Sequence, residues 1–305
     1  MAIKFNCPNC NALIAFADKH AGKRARCVAC EHRFVIPEVS FEKPVRASQP
    51  TEEAAQGVPI PGFYHAALVQ SWAVLFKWDT LMGLMLISVA VSFKFFVAHV
   101  DYSFVVGGIS VILPVGLIVR ALCWGILFWY YLESLILGAL DIDSLPDVEI
   151  DGYSDFIRKA IRSVFAFMMA LLFCMFPTIL YLVFAGRGHS PGIANGLANL
   201  GLFLLPMCIL AVGVNQDTQV LCRIDILFAP VPKAFFPYLT CAAMVMGVWF
   251  LQMKMHNAGD PALEDASVSL KALTLSMHLG IQVLALVAMR SLGLYYKHYQ
   301  CYFKW

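Results

Sequence analysis

Read as apolar and polar positions, the chain falls into three stretches. Up to about residue 37, short apolar runs such as Ile3-Lys4-Phe5 and Phe34-Val35-Ile36 are set between polar ones and predict small β segments. From Glu38 to Pro61 the chain turns to Pro, Glu, Ala, Ser and Gln, the composition of a flexible, partly extended linker. From residue 62 to 305 long apolar runs dominate, and they predict an integral membrane domain of helices.

Within that third stretch, Phe63 to Trp78 is apolar and aromatic but interrupted by His65, Gln70, Ser71 and Lys77, as in a helix lying on a membrane surface. Six runs then approach the ~20 residues needed to cross ~30 Å of hydrocarbon. They are 81–100, 104–135, 164–185, 197–214, 235–253 and 268–289. The second is too long for one crossing and awkward for two. It is read as one long helix whose inner end carries an aromatic belt from Trp124 to Tyr131. Because Cys7-x-x-Cys10 and Cys27-x-x-Cys30 lie in the first stretch, the predicted fold class is a small β zinc ribbon joined by a flexible linker to an all-α polytopic membrane domain.

Composition agrees: 60% of the 305 residues are hydrophobic and 14% charged, outside the range of soluble domains. Net charge, at +2, decides nothing, but its distribution does. Of the 22 Lys and Arg, seventeen fall on the side of the amino terminus in the six-helix topology. Arg187 and Lys254 fall opposite, and Lys94, Arg120 and Lys271 lie within or beside spans. The positive-inside rule then puts both termini in the cytoplasm. Lys4, Asn6 and Cys7 break the first apolar stretch, so no cleavable signal peptide is expected.

Candidate chemistry begins with the cysteines. Cys7-Pro8-Asn9-Cys10 and Cys27-Val28-Ala29-Cys30 have the spacing at which two knuckles supply four thiolates to a tetrahedral ion. Structural zinc is the favoured ion; an iron site would use the same sulfurs, but no electron-transfer partner is suggested. Thiolates need a reducing compartment, a second argument for a cytoplasmic amino terminus. Cys123, Cys174, Cys208, Cys222, Cys241 and Cys301 are scattered and read as free, buried thiols. Lys19, Lys23, Arg24 and Arg26 beside the third ligand serve to offset the negative field of four thiolates around one zinc, ahead of any nucleic-acid role.

In the membrane, Lys94 and Arg120 are placed near span ends where long side chains snorkel. Arg120 is about 24 Å along a helix beginning at 104, close to the inner face. His278 and Gln282, four apart on one face, read as interhelical hydrogen-bond glue ahead of a proton relay. Asp141, Asp143, Asp147, Glu149 and Asp151 precede a helix bearing Arg158, Lys159 and Arg162; loop and helix can pair, with a solvated loop as the default. The chain lacks His-Glu-x-x-His, a phosphate-binding glycine loop and Gly-x-Ser-x-Gly, so no catalytic residues are assigned.

The segments Phe5-Asn-Cys-Pro-Asn-Cys10, Ala21-Gly-Lys-Arg-Ala-Arg-Cys27 and Arg33-Phe-Val-Ile36 resemble the zinc ribbon at the amino termini of many bacterial membrane proteins. Cys7, Cys10, Cys27 and Cys30 occupy its ligand positions. Asn11 and Glu31 replace the glycine that often follows each knuckle. The membrane part resembles bacterial multi-spanning proteins ending in Arg-x-Leu-Gly-Leu-x-Tyr, here Arg290-Ser-Leu-Gly-Leu-Tyr-Tyr296. A shorter echo, Arg120 with Gly125 and Tyr130-Tyr131, suggests that the second and sixth spans end alike. The resemblance implies a bacterial inner membrane location and supplies no activity.

The expected function is therefore non-enzymatic: a cytoplasmic ribbon that recruits or senses a protein partner at the bilayer. A transporter or channel regulated by the ribbon is the alternative, followed by a membrane-tethered regulator that binds nucleic acid.

Overall fold

A computed structural model describes residues 58–97, 102–106, 109–113, 115–140, 142, 144–146, 152–186, 190–257 and 267–303, with strands at 2–6, 13–17, 24–26 and 33–35. The chain divides into two units, Met1–Gln49 and Pro50–Trp305. In the first, β1 (Ala2–Asn6) pairs antiparallel with β2 (Leu13–Ala17), with Ala2 opposite Ala17 and Asn6 opposite Leu13. Likewise β3 (Arg24–Arg26) pairs antiparallel with β4 (Arg33–Val35).

The second unit is mainly helical. Gly62, at φ 92°, takes the left-handed backbone that admits the first helix, α1, over Phe63–Phe76. This helix is irregular: an α turn at Phe63–His65, a π turn at Ala66–Gln70, an α turn at Ser71–Ala73 and a 3₁₀ turn at Val74–Phe76. After an extended Lys77 and a further 3₁₀ turn the chain bends by 89° into α2, Leu81–Val97. At 17 residues α2 reaches about 26 Å, a little less than the hydrocarbon thickness.

The stretch expected as one helix over 104–135 is two elements. Strands β5 (Tyr102–Val106) and β6 (Ile109–Leu113) pair antiparallel, and α3 begins only at Val115 and runs to Ala139. The reason is local. Val105, Val106, Ile109, Val111 and Ile112 are β-branched, Gly107-Gly108 stands between the strands, and Pro114 precedes the helix. The remaining helices are α4 (Tyr153–Ala185), α5 (Pro191–Asn215), α6 (Phe235–Asn257) and α7 (Val268–His298). They cover the apolar runs at 164–185, 197–214, 235–253 and 268–289, and all but α6 extend well beyond them. Pro177 and Pro206 lie inside α4 and α5, as membrane helices tolerate.

Among the described residues five helices, α3 to α7, are long and apolar enough to cross a membrane, and six spans result if α1 and α2 count as one bent crossing. The core is organised around α3 and α7, whose backbones touch. A Cβ on Gly138 would stand 2.6 Å from Arg290 O, and one on Gly293 would stand 2.1 Å from Leu135 O. Only glycine permits such an approach, the device by which helices associate where lipid gives them no hydrophobic incentive. Gly201 of α5 meets the Cys174 carbonyl of α4 in the same way, at 2.5 Å.

The linker expected to run freely to Pro61 is fastened one residue earlier. Ile60 N donates to His298 O at 2.8 Å, and the ring of His298 donates from Nδ1 to Ile60 O at 2.9 Å. A carbonyl partner requires the proton on Nδ1.

Candidate functional site

Cys7, Cys10, Cys27 and Cys30 lie outside the described residues. Among the described residues no group of three or more His, Cys, Asp or Glu comes together to hold a metal ion. Of the six scattered cysteines, Cys123, Cys174, Cys208 and Cys241 are buried free thiols, while Cys222 is exposed. Cys174 and Cys208 bring α4 and α5 together, Sγ to Sγ at 3.3 Å. Cys301, just past α7, is half-buried, and burial pushes its thiol pKa up from the ordinary value.

The membrane unit concentrates its polar contacts on α7, and the segment Arg290 to Tyr296 is buried throughout. Each of its residues has an identifiable packing role. Arg290, only 2% exposed, donates from Nη1 to Ile142 O at 2.9 Å and Ser144 O at 3.2 Å, in the chain that follows α3. Ser291 Oγ lies 3.0 Å from Ala67 O in the π turn of α1 and 2.8 Å from Val287 O, and shares its proton between them. Leu292 and Leu294 fill the core, and Gly293 admits α3. Tyr295 packs edge-on against Phe63 and Phe303, and Tyr296 against Phe303.

The pattern noted in the sequence as a resemblance is thus the joint at which α1, α3, Ile142 and Ser144 meet α7. Its echo at Arg120 is not equivalent. Tyr131 meets Gln282, and Gly138 meets Gly293, so α3 and α7 run parallel. Arg120 lies five residues into α3 and is exposed, at the opposite end of the bundle from Arg290. Its expected place near the inner face falls with the late start of α3. Because the guanidinium spans two carbonyls, Arg290→Lys is expected to cost about 1–3 kcal/mol. Hydrogen exchange should then quicken in the peptide covering 140–146.

One turn pair further into the bundle, Tyr131 donates to Gln282 Oε1, and Gln282 Nε2 donates to Gln252 Oε1 at 3.1 Å. This chain ties α3, α7 and α6. The glue expected of Gln282 is present, with Tyr131 and Gln252 as partners that hydropathy could not single out. His278, its expected companion, packs edge-on against Phe95 of α2, centroids 5.8 Å apart. Lys94 lies over the Trp124 ring at 4.3 Å, pairing α2 with α3.

Tyr131→Phe and Gln282→Leu should each lower stability by about 0.5–1.5 kcal/mol. The double variant should cost less than the sum, as read from thermal melts in one detergent.

At the start of α4, Asp155 accepts from Arg158 and Lys159 of its own helix, the latter at 3.0 Å. Arg162 reaches Gln216 O at 2.9 Å. The described cations of this helix therefore engage α4 itself, the end of α5 and, through Lys159 at 5.7 Å from the Trp129 ring centre, α3; the carboxylates expected to meet them lie outside the described residues. Trp129 Nε1 donates to Glu133 Oε1 at 3.3 Å within α3.

These features define a multi-pass helical membrane protein, preceded by a separate amino-terminal unit that contains two strand pairs. No family model, curated protein or solved structure matches the chain.

Proposed function

We propose that the chain is a non-enzymatic protein of the bacterial inner membrane whose amino-terminal 37 residues form a zinc ribbon that recruits a protein partner at the cytoplasmic surface. The observation that carries this reading is the placement of the cysteines in the chain. Cys7-x-x-Cys10 stands between β1 and β2, and Cys27-x-x-Cys30 between β3 and β4, each pair of strands antiparallel. Hairpins so placed are what two knuckles around one tetrahedral ion require.

Cytoplasmic placement is supported by the excess of Lys and Arg on the amino-terminal side and by the reducing conditions that thiolates need. The correction at Arg120 adds one cation to the opposite end and leaves the asymmetry large. A four-thiolate shell leaves no open coordination position, so the ion acts on folding rather than on a substrate. Tethering a closed recognition unit to a membrane body raises the local concentration of whatever it binds.

The test is affinity capture from membranes of the native host with the full chain and with Cys27→Ser/Cys30→Ser. The variant is expected to lose a defined set of partners while inserting normally. An unchanged set would reject recruitment by the ribbon.

A further inference from the structure

The helix α1 has two parallel stripes. Phe63, Ala67 and Ser71 recur every four residues, are buried, and face α7. Tyr64, Leu68, Trp72 and Phe76 recur at the same interval one position later, and all four are exposed. Four-residue spacing drifts around a regular helix of 3.6 residues per turn. The wider π turn at Ala66–Gln70 offsets that drift between Phe63 and Ser71, after which the inward side passes to Val74. Ala67 and Ser71, the small residues of the inward stripe, let α1 lie close on α7, where Ser291 reaches Ala67 O and stands 3.5 Å from Ser71 Oγ.

Four bulky apolar side chains line the outside. Trp78, 85% exposed like Phe76, extends them past the bend. We propose that this outward stripe, Tyr64-Leu68-Trp72-Phe76 with Trp78, lies in the headgroup–acyl boundary of the leaflet next to the carboxyl end of α7, making α1 a surface strap held between lipid and protein.

Three observations select lipid as the occupant. The axis of α1 stands 89° from α2, so α1 lies across the direction in which α2 runs. The stripe is rich in Trp and Tyr, the residues that settle at membrane interfaces. From Val58 to Phe76 the chain carries no Lys, Arg, Asp or Glu, so α1 holds no such charge to resist partial burial in lipid. The short α2 fits as well, since a strap at the boundary starts the crossing already beneath the headgroups.

The test uses the wild-type full chain in lipid nanodiscs doped with a photoactivatable lipid, its diazirine either beside the headgroup or at the acyl terminus. Labelled peptides are mapped by mass spectrometry. The expected result is label from the headgroup probe at Tyr64, Leu68, Trp72, Phe76 and Trp78 alike, and none from the terminal probe. The exposed Met168 and Leu172, midway along α4, should take the terminal probe in the same spectra and serve as the control. A shift from one probe to the other between Tyr64 and Phe76 would mean that α1 and α2 form one broken crossing, and overturns the proposal. So does a stripe that neither probe labels while the control is labelled, whether water or a second protein chain covers it.

Discussion

Gly293→Ala is expected to destabilise the membrane unit by at least about 3 kcal/mol, enough to shift its melt far down or prevent its recovery in folded form. The added methyl would stand 2.1 Å from Leu135 O and 2.8 Å from Ala139 N. Both neighbours are helix backbone, which cannot rotate aside as a long side chain would. The only relief is to move α3 and α7 apart, and that also opens the contact of Gly138 with Arg290 O. Gly280→Ala, thirteen residues earlier on the same helix, supplies the contrast. Its Cβ meets nothing within 4 Å, so the change should be neutral or stabilising by up to ~1 kcal/mol through helix propensity. Melts of the two variants in one detergent measure the difference directly. Equal melts would contradict the backbone contact between α3 and α7.

Withdrawing metal should act on the other unit alone. On the proposed reading, one ion held by Cys7, Cys10, Cys27 and Cys30 supplies most of the folding free energy of a unit too small to hold a sufficient core. Structural zinc contributes roughly 10 kcal/mol or more in small zinc peptides. A strong chelator, or Cys27→Ser with Cys30→Ser, is then expected to unfold residues 1–37 and leave the melt of the membrane unit in place. Hydrogen exchange on the full chain separates the two. Peptides covering 2–17 and 24–35 should exchange at once without metal, and those of α5 and α7 should not change. Elemental analysis should find one zinc per chain, falling to none in the double variant. Protection of 2–17 that survives in metal-free protein would remove the ion from the account of this unit.

Hydropathy made the later helices legible because α4 to α7 each carry an apolar run near bilayer length. Where their ends differ from those runs, the helix continues into polar flanks, as at Ser154 to Arg162 of α4, which hydropathy does not register. The failure at 104–135 has a different origin. A lipid-facing helix and a β-branched hairpin are both apolar, so the pattern alone could not separate them. The readable cue was the local chemistry of Gly107-Gly108 and Pro114.

The candidate site was legible in its letters but not in its roles. Arg290 counts as one more cation in a charge tally, whereas its position among the carbonyls of Ile142 and Ser144 depends on the turn after α3. Gln282 stood out as a polar residue in an apolar run, while Gln252 near the end of α6 did not. The π turn of α1 has no counterpart in composition. It is met by Ser291, far away in sequence, whose hydroxyl reaches Ala67 O.

That last contact bears on how the protein is made. Ser71 and Ser291 are separated by 220 residues, so α1 is among the first parts of the membrane unit to be synthesised and its seat on α7 is among the last. At ~5–20 residues per second the ribosome needs roughly 10–45 s to cover that interval. Throughout it Phe63, Ala67 and Ser71 have no partner on α7, and a chain halted before residue 291 never provides one. Seating of α1 is therefore a closing step of biogenesis, completed when Ile60 and His298 bring the two ends of the membrane unit together.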